Sequence, residues 1–539
     1  MMKKLAKALL GLIAAVAMLF TGLVAPVTAL AADTHTLTIN NAEAGHTYEA
    51  YQVFSGTLSA DGGTLSNIQW GSSVKGGDIL TALQGDSAFG EDDQNVFKDV
   101  TDAAGVADKL SKYGNDSSEA KAFAKIVGNN LTTAAGTSDA GTEGTDGKYT
   151  YTIGNLADGY YLVKDKDTTV PEDGVYTDFI LKIVKDTTAT PKSDVPTVEK
   201  KVKDVNDSTG DTSDWQDSAD HDINDAIEYK LTGTLPSNYD SYKTYAYKFT
   251  DTLSKGLTVN EDSVKVYVVK DDSTETEITS GYTKSVAGVD DTVIGTYAGG
   301  HVLTVAFDDL KTATTTATIT NGSKIVVKYT ATLNENAIIG SAGNPNKVDL
   351  TFSNNPNGEG TGKTPEDEVI VFTFKLTVNK VDGNKNPLAG AGFSLYKYDF
   401  ASSDYGTTPV KKYEAGTTTS FDFSGLDDGQ YKLVEDTAPD GYNKIADIEF
   451  KIVATHTQDD GNPARTLTVL NITDLEGNNM NGFTIDGSTK NVSTDVVNKK
   501  GSELPETGGI GTTILYVAGA ACVIAAGVWF GLRRRGSTR

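Results

Sequence analysis

The feature that most constrains the fold is an alternation of apolar and polar residues over segments of strand length. In Leu376-Thr-Val378-Asn-Lys380 every second side chain belongs to one face of a strand, and the segment 247–253 alternates in the same way. Gly, Asn and Asp separate such segments roughly every ten residues, which is typical of antiparallel sandwiches. The pattern predicts an all-β chain of tandem immunoglobulin-like β-sandwich domains.

The segment 96–131 is the exception. Its apolar residues are spaced to suit one or two short helices, inserted in the first domain. They are Val96, Val100, Ala103, Ala107, Leu110, Ala120, Ala122, Ala124, Ile126 and Leu131.

Two polar segments that contain proline, 187–196 and 354–365, predict domain boundaries. Three domains result, at 32–191, 192–366 and 367–500. They are preceded by a signal peptide at 1–31 and followed by a sorting region at 501–539.

The composition excludes several classes of site. A single cysteine, Cys522, rules out intramolecular disulfides, cysteine-based zinc sites and redox pairs. The net charge of −26 argues against nucleic acid as a partner. No Ser/His/Asp arrangement, His-x-x-x-His motif or phosphate loop is apparent, so an extracellular enzyme is disfavoured. Paired carboxylates are common in so acidic a chain, and a glycosidase, which needs such a pair, is therefore not excluded. We expect no cofactor and identify no metal ligands, and the sequence leaves open whether a metal ion is bound.

The N-terminus has the pattern of a secretory signal. Lys3, Lys4 and Lys7 precede an apolar run at 8–24, and a small-x-small site ends at Ala31. Cleavage is expected there or one residue later. A retained membrane anchor is the weaker interpretation.

The C-terminus combines three elements in order. Leu504-Pro505-Glu506-Thr507-Gly508 precedes an uncharged stretch that ends at Leu532, and three arginines follow. This arrangement resembles the cell-wall sorting signal of Gram-positive surface proteins. The resemblance implies that a sortase cysteine attacks the Thr507 carbonyl, releases the chain from Gly508 onward and passes the acyl group to an amine. A simple juxtamembrane linker is the alternative.

Every second residue of a strand lies on the same face. This alternation, called parity below, places three polar residues of the third domain in its core. Lys380 shares the face of Leu376 and Val378, Glu435 follows Tyr431 and Leu433 on one face, and Asn498 follows Val496. Burial lowers the pKa of lysine and raises that of glutamate, so a neutral amine can attack the Asn498 carboxamide while Glu435 transfers protons. Two alternatives agree with the same alternation of residues. The three groups form an unreacted, hydrogen-bonded buried trio, or the lysine extends to solvent at the end of its strand.

The stretch Tyr431-x-Leu-x-Glu435-x-x-Ala-Pro-x-Gly-Tyr442 resembles the E-box of Gram-positive pilins, with Asp436 in place of threonine. The ends of this domain, 376–396 and 497–499, resemble a collagen-adhesin B-type domain. The resemblance implies an isopeptide bond between Lys380 and Asn498, with Glu435 as the catalytic acid.

In the second domain, Lys200 shares a strand face with Val198 and Val202 and is therefore the expected inward lysine. Lys201 remains the alternative. Asp251 is expected to be an inward acid. The stretch 248–257 resembles the collagen-adhesin A-type domain of fimbrial shaft proteins. That family has a partner asparagine on a late strand. Asn346 is the first choice, and Asn354 is the alternative.

The first and third domains look like divergent copies of one sandwich, because 37–51 parallels 376–397 and 158–164 parallels 428–435. Asn41 and Lys164 are aligned with Lys380 and Glu435. The first domain is therefore expected to lack the bond.

Lys192, in Thr190-Pro191-Lys192-Ser193, resembles the pilin motif, whose lysine amine attacks the sortase-bound threonine of the next subunit. The family often has tyrosine where Thr190 stands, and its upstream tryptophan is not apparent. The alternative is a solvated linker lysine.

Together these resemblances imply a backbone pilin, the structural shaft subunit of a cell-surface pilus. It would be secreted, polymerised through Lys192 and Thr507, and attached covalently to the cell wall. Its implied partners are pilin-specific and housekeeping sortases, head-to-tail copies of itself, peptidoglycan, accessory tip and base pilins, and host ligands. The second hypothesis is a monomeric wall-anchored adhesin that binds host protein or glycan and does not need Lys192.

Overall fold

The computed structural model describes residues 34–501 and 510–535, apart from 42–43, 61, 115–116, 146, 167–169, 171–175, 177, 192–194, 208, 271–272, 291–294, 357 and 457–465. The expected signal peptide lies outside the described residues. The described chain forms three successive units built mainly of strands, which confirms the all-β class.

The N-terminal unit, residues 34–189, pairs two sheets with strand orders β5-β6-β1-β9 and β3-β2-β7-β8, and β4 adds to β2. Its strands are β1 Thr34–Asn41, β2 Tyr48–Leu58, β3 Leu65–Trp70, β4 Gly136–Thr137, β5 Thr142–Glu143, β6 Tyr149–Ala157, β7 Gly159–Asp165, β8 Asp178–Ile183 and β9 Thr187–Ala189.

The helices of this unit all lie between β3 and β4. They are α1 Gly76–Gly85, α2 Ala103–Leu110 and α3 Ser118–Gly128. Asp102 and Ser117 cap α2 and α3 by accepting backbone N–H bonds, and both helices lie within the segment that was expected to be helical. The sequence pattern did not indicate α1, which begins with two glycines and buries only Ile79 and Leu83.

The middle unit, residues 198–372, contains a five-stranded sheet, β10-β14-β20-β16-β17, facing a sheet in the order β13-β23-β21-β15-β19-β18, with β22 on β21. Its strands are β10 Val198–Val202, β11 Val205–Asn206, β12 Asp211–Thr212, β13 Ser218–Asp220, β14 Ala226–Thr234, β15 Tyr247–Leu253, β16 Leu257–Val269, β17 Glu275–Ile278, β18 Thr283–Gly288, β19 His301–Phe307, β20 Lys324–Leu333, β21 Asn344–Ser353, β22 Thr361–Lys363 and β23 Asp367–Phe372.

The C-terminal unit, residues 374–498, has sheets in the orders β28-β24-β33-β32 and β26-β25-β29-β30-β31, with β27 on β25. Its strands are β24 Phe374–Val381, β25 Gly392–Asp399, β26 Asp404–Tyr405, β27 Lys411–Tyr413, β28 Ser420–Leu426, β29 Gly429–Thr437, β30 Ile448–His456, β31 Leu467–Thr473, β32 Phe483–Ile485 and β33 Val492–Val497. The long helix α4, Ile510–Arg535, follows, and Leu515–Arg533 is apolar enough to cross a membrane.

Three strand pairs depart from the antiparallel arrangement that is typical of such sandwiches. β1 pairs with β9, β13 with β23, and β24 with β33, each in parallel. Each pair joins strands that are far apart in sequence, so no tight turn forces them to run in opposite directions. In the outer two units the pairing brings the first and last strands side by side.

Strand β23 belongs to the sheet of the middle unit, although residues 367–372 were expected in the third domain. Its uninterrupted apolar run contributes to two cores. Val369 and Val371 pack in the core of the middle unit, whereas Ile370 and Phe372 pack in that of the C-terminal unit. The two units therefore share a strand at their junction.

Candidate functional site

Three strands of the C-terminal unit bring Lys380, Glu435 and Asn498 into its core. Lys380 lies near the end of β24, Glu435 on β29, and Asn498 directly after β33. All three side chains are completely buried. The alternation of apolar residues along each strand places them there, as parity predicts.

The carboxylate of Glu435 holds the amide end of Asn498. Asn498 Nδ2 donates to Glu435 Oε1 at 2.9 Å and to Oε2 at 3.1 Å, and the Ile445 N–H donates to Oε2 at 3.0 Å. The Asn498 Oδ1 atom is buried and has no hydrogen-bond donor in the described part of the chain. The acid thus contacts the nitrogen that would leave if the carboxamide were attacked.

Lys380 lies across the β24–β33 pair. Its Nζ donates to the carbonyl oxygens of Val381 and Val496, at 3.1 Å in each case. Burial lowers the pKa of Lys380, and the charge of Glu435 opposes that shift only in part. A lowered pKa favours the neutral amine, which is the nucleophilic form.

The middle unit contains a second buried trio on β10, β15 and β21. Lys200 Nζ lies 2.6 Å from Asp251 Oδ1, and Asn346 lies opposite Leu253 in the ladder. All three side chains are completely buried. Burial lowers the pKa of Lys200 and raises that of Asp251, so both shifts favour the uncharged pair.

Tyr329 on β20 connects the middle trio and was missed by the sequence analysis. Its hydroxyl donates to Asp251 Oδ2 at 2.5 Å, and it accepts from Asn346 Nδ2 at 2.8 Å and from Lys200 Nζ at 3.1 Å. The signal was present, because Ile325, Val327 and Tyr329 share one face of a strand. Parity alone did not reveal which groups that hydroxyl would contact.

The two alternative residues of the middle domain lie elsewhere. Lys201 is also buried, but its Nζ pairs with Asp217 at 2.7 Å. Asn354 lies six positions beyond Val348, the residue opposite Asp251, which is about 20 Å along a strand.

The expected alignment of Lys164 with Glu435 is wrong by one residue. Glu435 lies opposite Phe393 in its ladder, and Asp165 lies opposite Tyr48, the residue that corresponds to Phe393. Asp165 is 1% exposed, so the N-terminal unit does contain a buried acid at this place.

The remaining residues at this place in the N-terminal unit differ from those of the two buried trios. Asn41 occupies the position of Lys380, and its Nδ2 donates to the Tyr48 hydroxyl at 2.7 Å. His46 Nδ1 lies 2.7 Å from Asp165 Oδ1. A buried His–Asp pair thus replaces the Lys–acid contact of the middle unit.

Five predicted site residues lie outside the described residues. They are Lys192, Leu504, Pro505, Thr507 and Gly508.

Comparison with protein families matches three consecutive parts of the chain. Residues 223–356 match the Gram-positive pilin backbone subunit 2, Cna-B-like domain, and residues 374–462 match a prealbumin-like fold domain. Residues 496–537 match the LPXTG cell wall anchor motif. The trypsin-resistant surface T6 protein of Streptococcus pyogenes serotype M6 is 28% identical over 415 residues, which cover 65% of this chain and 70% of the relative.

The chain is a Gram-positive backbone pilin.

The solved structure of the T6 backbone pilin of serotype M6 S. pyogenes agrees with this assignment in its fold. That pilin has a modular three-domain structure decorated with variable loops and extensions. The similarity has a TM-score of 0.50 at 19% identity, and covers 87% of this pilin and 99% of the other chain.

As a backbone pilin, the protein is a structural shaft subunit and not a catalytic enzyme. It is a sortase substrate that polymerises with other pilins into a surface pilus attached to the cell wall. The apolar helix α4 fits the membrane-spanning segment of the anchor. The alternative of a monomeric adhesin is not favoured.

Proposed function

We propose that the pilin stabilises itself with two intramolecular isopeptide bonds, Lys380–Asn498 and Lys200–Asn346. The observation that carries the proposal is the burial of a lysine, acid and asparagine trio in each of two units. A lone buried lysine or carboxylate is costly, and reaction with the asparagine removes the lysine charge permanently.

The reaction needs no external reagent. The neutral Lys Nζ attacks Cγ of the asparagine, the Nζ–Cγ bond forms, and the Cγ–Nδ2 bond breaks. Nδ2 leaves as ammonia with a proton from the acid, which recovers one from the attacking Nζ. In the C-terminal unit the contact of Glu435 with Asn498 Nδ2 suits the proton delivery. In the middle unit Asp251 contacts the amine directly and reaches the carboxamide through Tyr329.

Intact-mass measurement of the secreted region tests this proposal. The expected mass is lower than that of the unmodified chain by two ammonia molecules. Glu435→Ala restores one of them and Asp251→Ala the other, because each removes the proton transfer in one unit only. Asp165→Asn is the matched control and leaves the deficit of two ammonia molecules, relative to its own unmodified chain, unchanged. A wild-type chain without a mass deficit would mean that both trios are ordinary buried hydrogen-bonded groups.

The proposal for the shaft is that the Lys192 amine attacks the acyl enzyme formed at Thr507 of another subunit. Lys192 lies between the last strand of the N-terminal unit, β9, and the first strand of the middle unit, β10. This position supports the proposed boundary between the domains at 32–191 and 192–366, whereas the boundary between 192–366 and 367–500 would move to the C-terminal side of β23. A pilin-specific sortase would join the subunits, and a housekeeping sortase would transfer the polymer to peptidoglycan. Accessory tip and base pilins and host ligands complete the proposed partners.

A further inference from the structure

The junction of the middle and C-terminal units contains a cluster of six aspartates. We call it the joint cluster: Asp204, Asp207, Asp220, Asp222, Asp427 and Asp428. Asp204, Asp220, Asp427 and Asp428 are at most 6% exposed. The first four members of the cluster come from the middle unit and the last two from the turn between β28 and β29. The carboxylates of two units are thus brought together away from solvent.

The positive charges at this junction do not balance the cluster. The Nζ of Lys397 contacts both Asp207 and Asp222. His456 lies between Asp220 and Asp204, with its Nε2 3.1 Å and 3.6 Å from their oxygens, and its Nδ1 is 2.7 Å from Ser218 Oγ. His221 and Asp225 also lie beside Asp427. Even with both histidines protonated, and with Asp225 counted, three cations face seven carboxylates. Buried carboxylates without a counter-charge are costly.

Asp427 is a member of the joint cluster whose carboxylate is incompletely hydrogen-bonded. It is completely buried, and its Oδ1 accepts the Asp428 N–H at 2.8 Å. Its Oδ2 has no hydrogen-bond partner among the residues that the structure describes. A carboxylate oxygen of Asp427 lies within 4.8 Å of oxygens of both Asp220 and Asp428. Asp427 thus presents a completely buried carboxylate, with one unpartnered oxygen, beside two further carboxylates, which is an arrangement suited to an oxygen-seeking cation.

We propose that Asp220, Asp427 and Asp428 bind a calcium ion at the joint between the middle and C-terminal units. Ca²⁺ takes oxygen ligands at about 2.3–2.6 Å, so two oxygens on opposite sides of one ion lie up to about 5 Å apart, in agreement with the cluster. Mg²⁺ requires shorter distances and retains more water. Zn²⁺ prefers nitrogen and sulfur ligands, and both ring nitrogens of His456 already have hydrogen-bond partners.

The surrounding hydrogen bonds position the proposed ligands. The Asp428 N–H donates to Asp220 Oδ2 at 3.2 Å, and the Asp207 N–H donates to Asp428 Oδ1 at 3.0 Å. These bonds cross from one unit to the other. Because the ligands also come from both units, the bound ion would fix the angle between them. This proposal does not depend on isopeptide formation.

Calcium titration of the full-length protein in detergent tests the site. After removal of metal with EGTA, isothermal titration with CaCl₂ is expected to show one ion bound per chain, and the ion is expected to raise the melting temperature. Asp427→Asn should lower the affinity by about tenfold or more, because it removes a charged ligand. Asp422→Asn, the same charge change on the surface of the C-terminal unit, should leave the affinity unchanged.

Several results would overturn the proposal. Absence of calcium binding in the wild-type protein would mean that the cluster is neutralised by protons. Binding that Asp427→Asn leaves unaltered would place the ion elsewhere, and equal affinity for Mg²⁺ would refute the assignment to calcium. Metal analysis of wild-type protein purified without chelator gives an answer even if the variant fails to fold: calcium in equimolar amount supports the site, and its absence contradicts it.

Discussion

The hydroxyl of Tyr329 is the group on which the middle trio depends. It is the hydrogen-bond link between the Asp251 carboxylate and the Asn346 carboxamide, and it also contacts the Lys200 amine. Burial raises the pKa of Tyr329 well above its ordinary value, so the hydroxyl keeps its proton and can donate it to Asp251. The C-terminal trio needs no such link, since Glu435 reaches Asn498 directly.

Tyr329→Phe is therefore expected to slow closure of the Lys200–Asn346 bond while leaving Lys380–Asn498 intact. The ring is retained, so the core remains packed, but buried Asp251 and Asn346 each lose a partner, at about 1–3 kcal/mol per group. Freshly produced protein should then contain a fraction heavier by one ammonia, measured by intact mass. The matched control is Tyr229→Phe, because Tyr229 stacks on Tyr329 at 5.2 Å but makes no hydrogen bond to Asp251. Equal effects of the two variants would contradict the role of the Tyr329 hydroxyl.

Parity along a strand could predict which polar residues face a core, and it did so for Lys380, Glu435 and Lys200. It could not predict which inward groups from other strands they would meet, because that depends on register and on the packing of two sheets. The same limit explains the misplacement of Lys164. Aligning short motifs without a ladder allowed a slip of one residue, and such a slip exchanges the buried and exposed faces of a strand.

At the scale of elements, β23 belongs to both units at the junction of the middle and C-terminal units, so no single residue separates them. The proline and glycine residues of 354–365 indicated a linker, and β23 follows it in sequence. The chain nevertheless returns β23 to the sheet of the middle unit, since its apolar run can satisfy two cores at once. A sequence pattern can show that such a strand is buried on both faces, but not which two units cover it.

Phe372→Ala and Val371→Ala are adjacent changes with different expected targets. Phe372→Ala should destabilise the C-terminal unit by about 3–5 kcal/mol, because it leaves a cavity in that core. Val371→Ala should instead loosen the middle unit. Hydrogen–deuterium exchange, read separately for 198–353 and 374–497, distinguishes the two. If both variants raise hydrogen–deuterium exchange in the same unit, the two faces of β23 do not pack in two different cores.

At the scale of the whole molecule, the proposed shaft linkage makes a prediction that concerns assembly and not folding. Lys192→Arg should abolish the ladder of covalent multimers in cell-wall extracts and leave monomer on the wall, because arginine stays protonated and is not nucleophilic. Thr507→Ala should remove polymer and wall attachment together. As a control, Lys201→Arg keeps the charge next to Asp217 and should leave the ladder unchanged. A ladder that persists in Lys192→Arg would assign the acceptor amine to another lysine.

The parallel pairing of β24 with β33 has a mechanical consequence. The chain enters the C-terminal unit through one of these neighbours and leaves through the other, so tension on the subunit slides the two strands past each other. Their hydrogen bonds are then loaded together in shear and not opened one by one. With the proposed Lys380–Asn498 bond, the load passes from 374 to 380 and directly to 498, and residues 381–497 form a closed loop that carries none of it. In a filament of such subunits, the C-terminal sandwich would keep its length under tension.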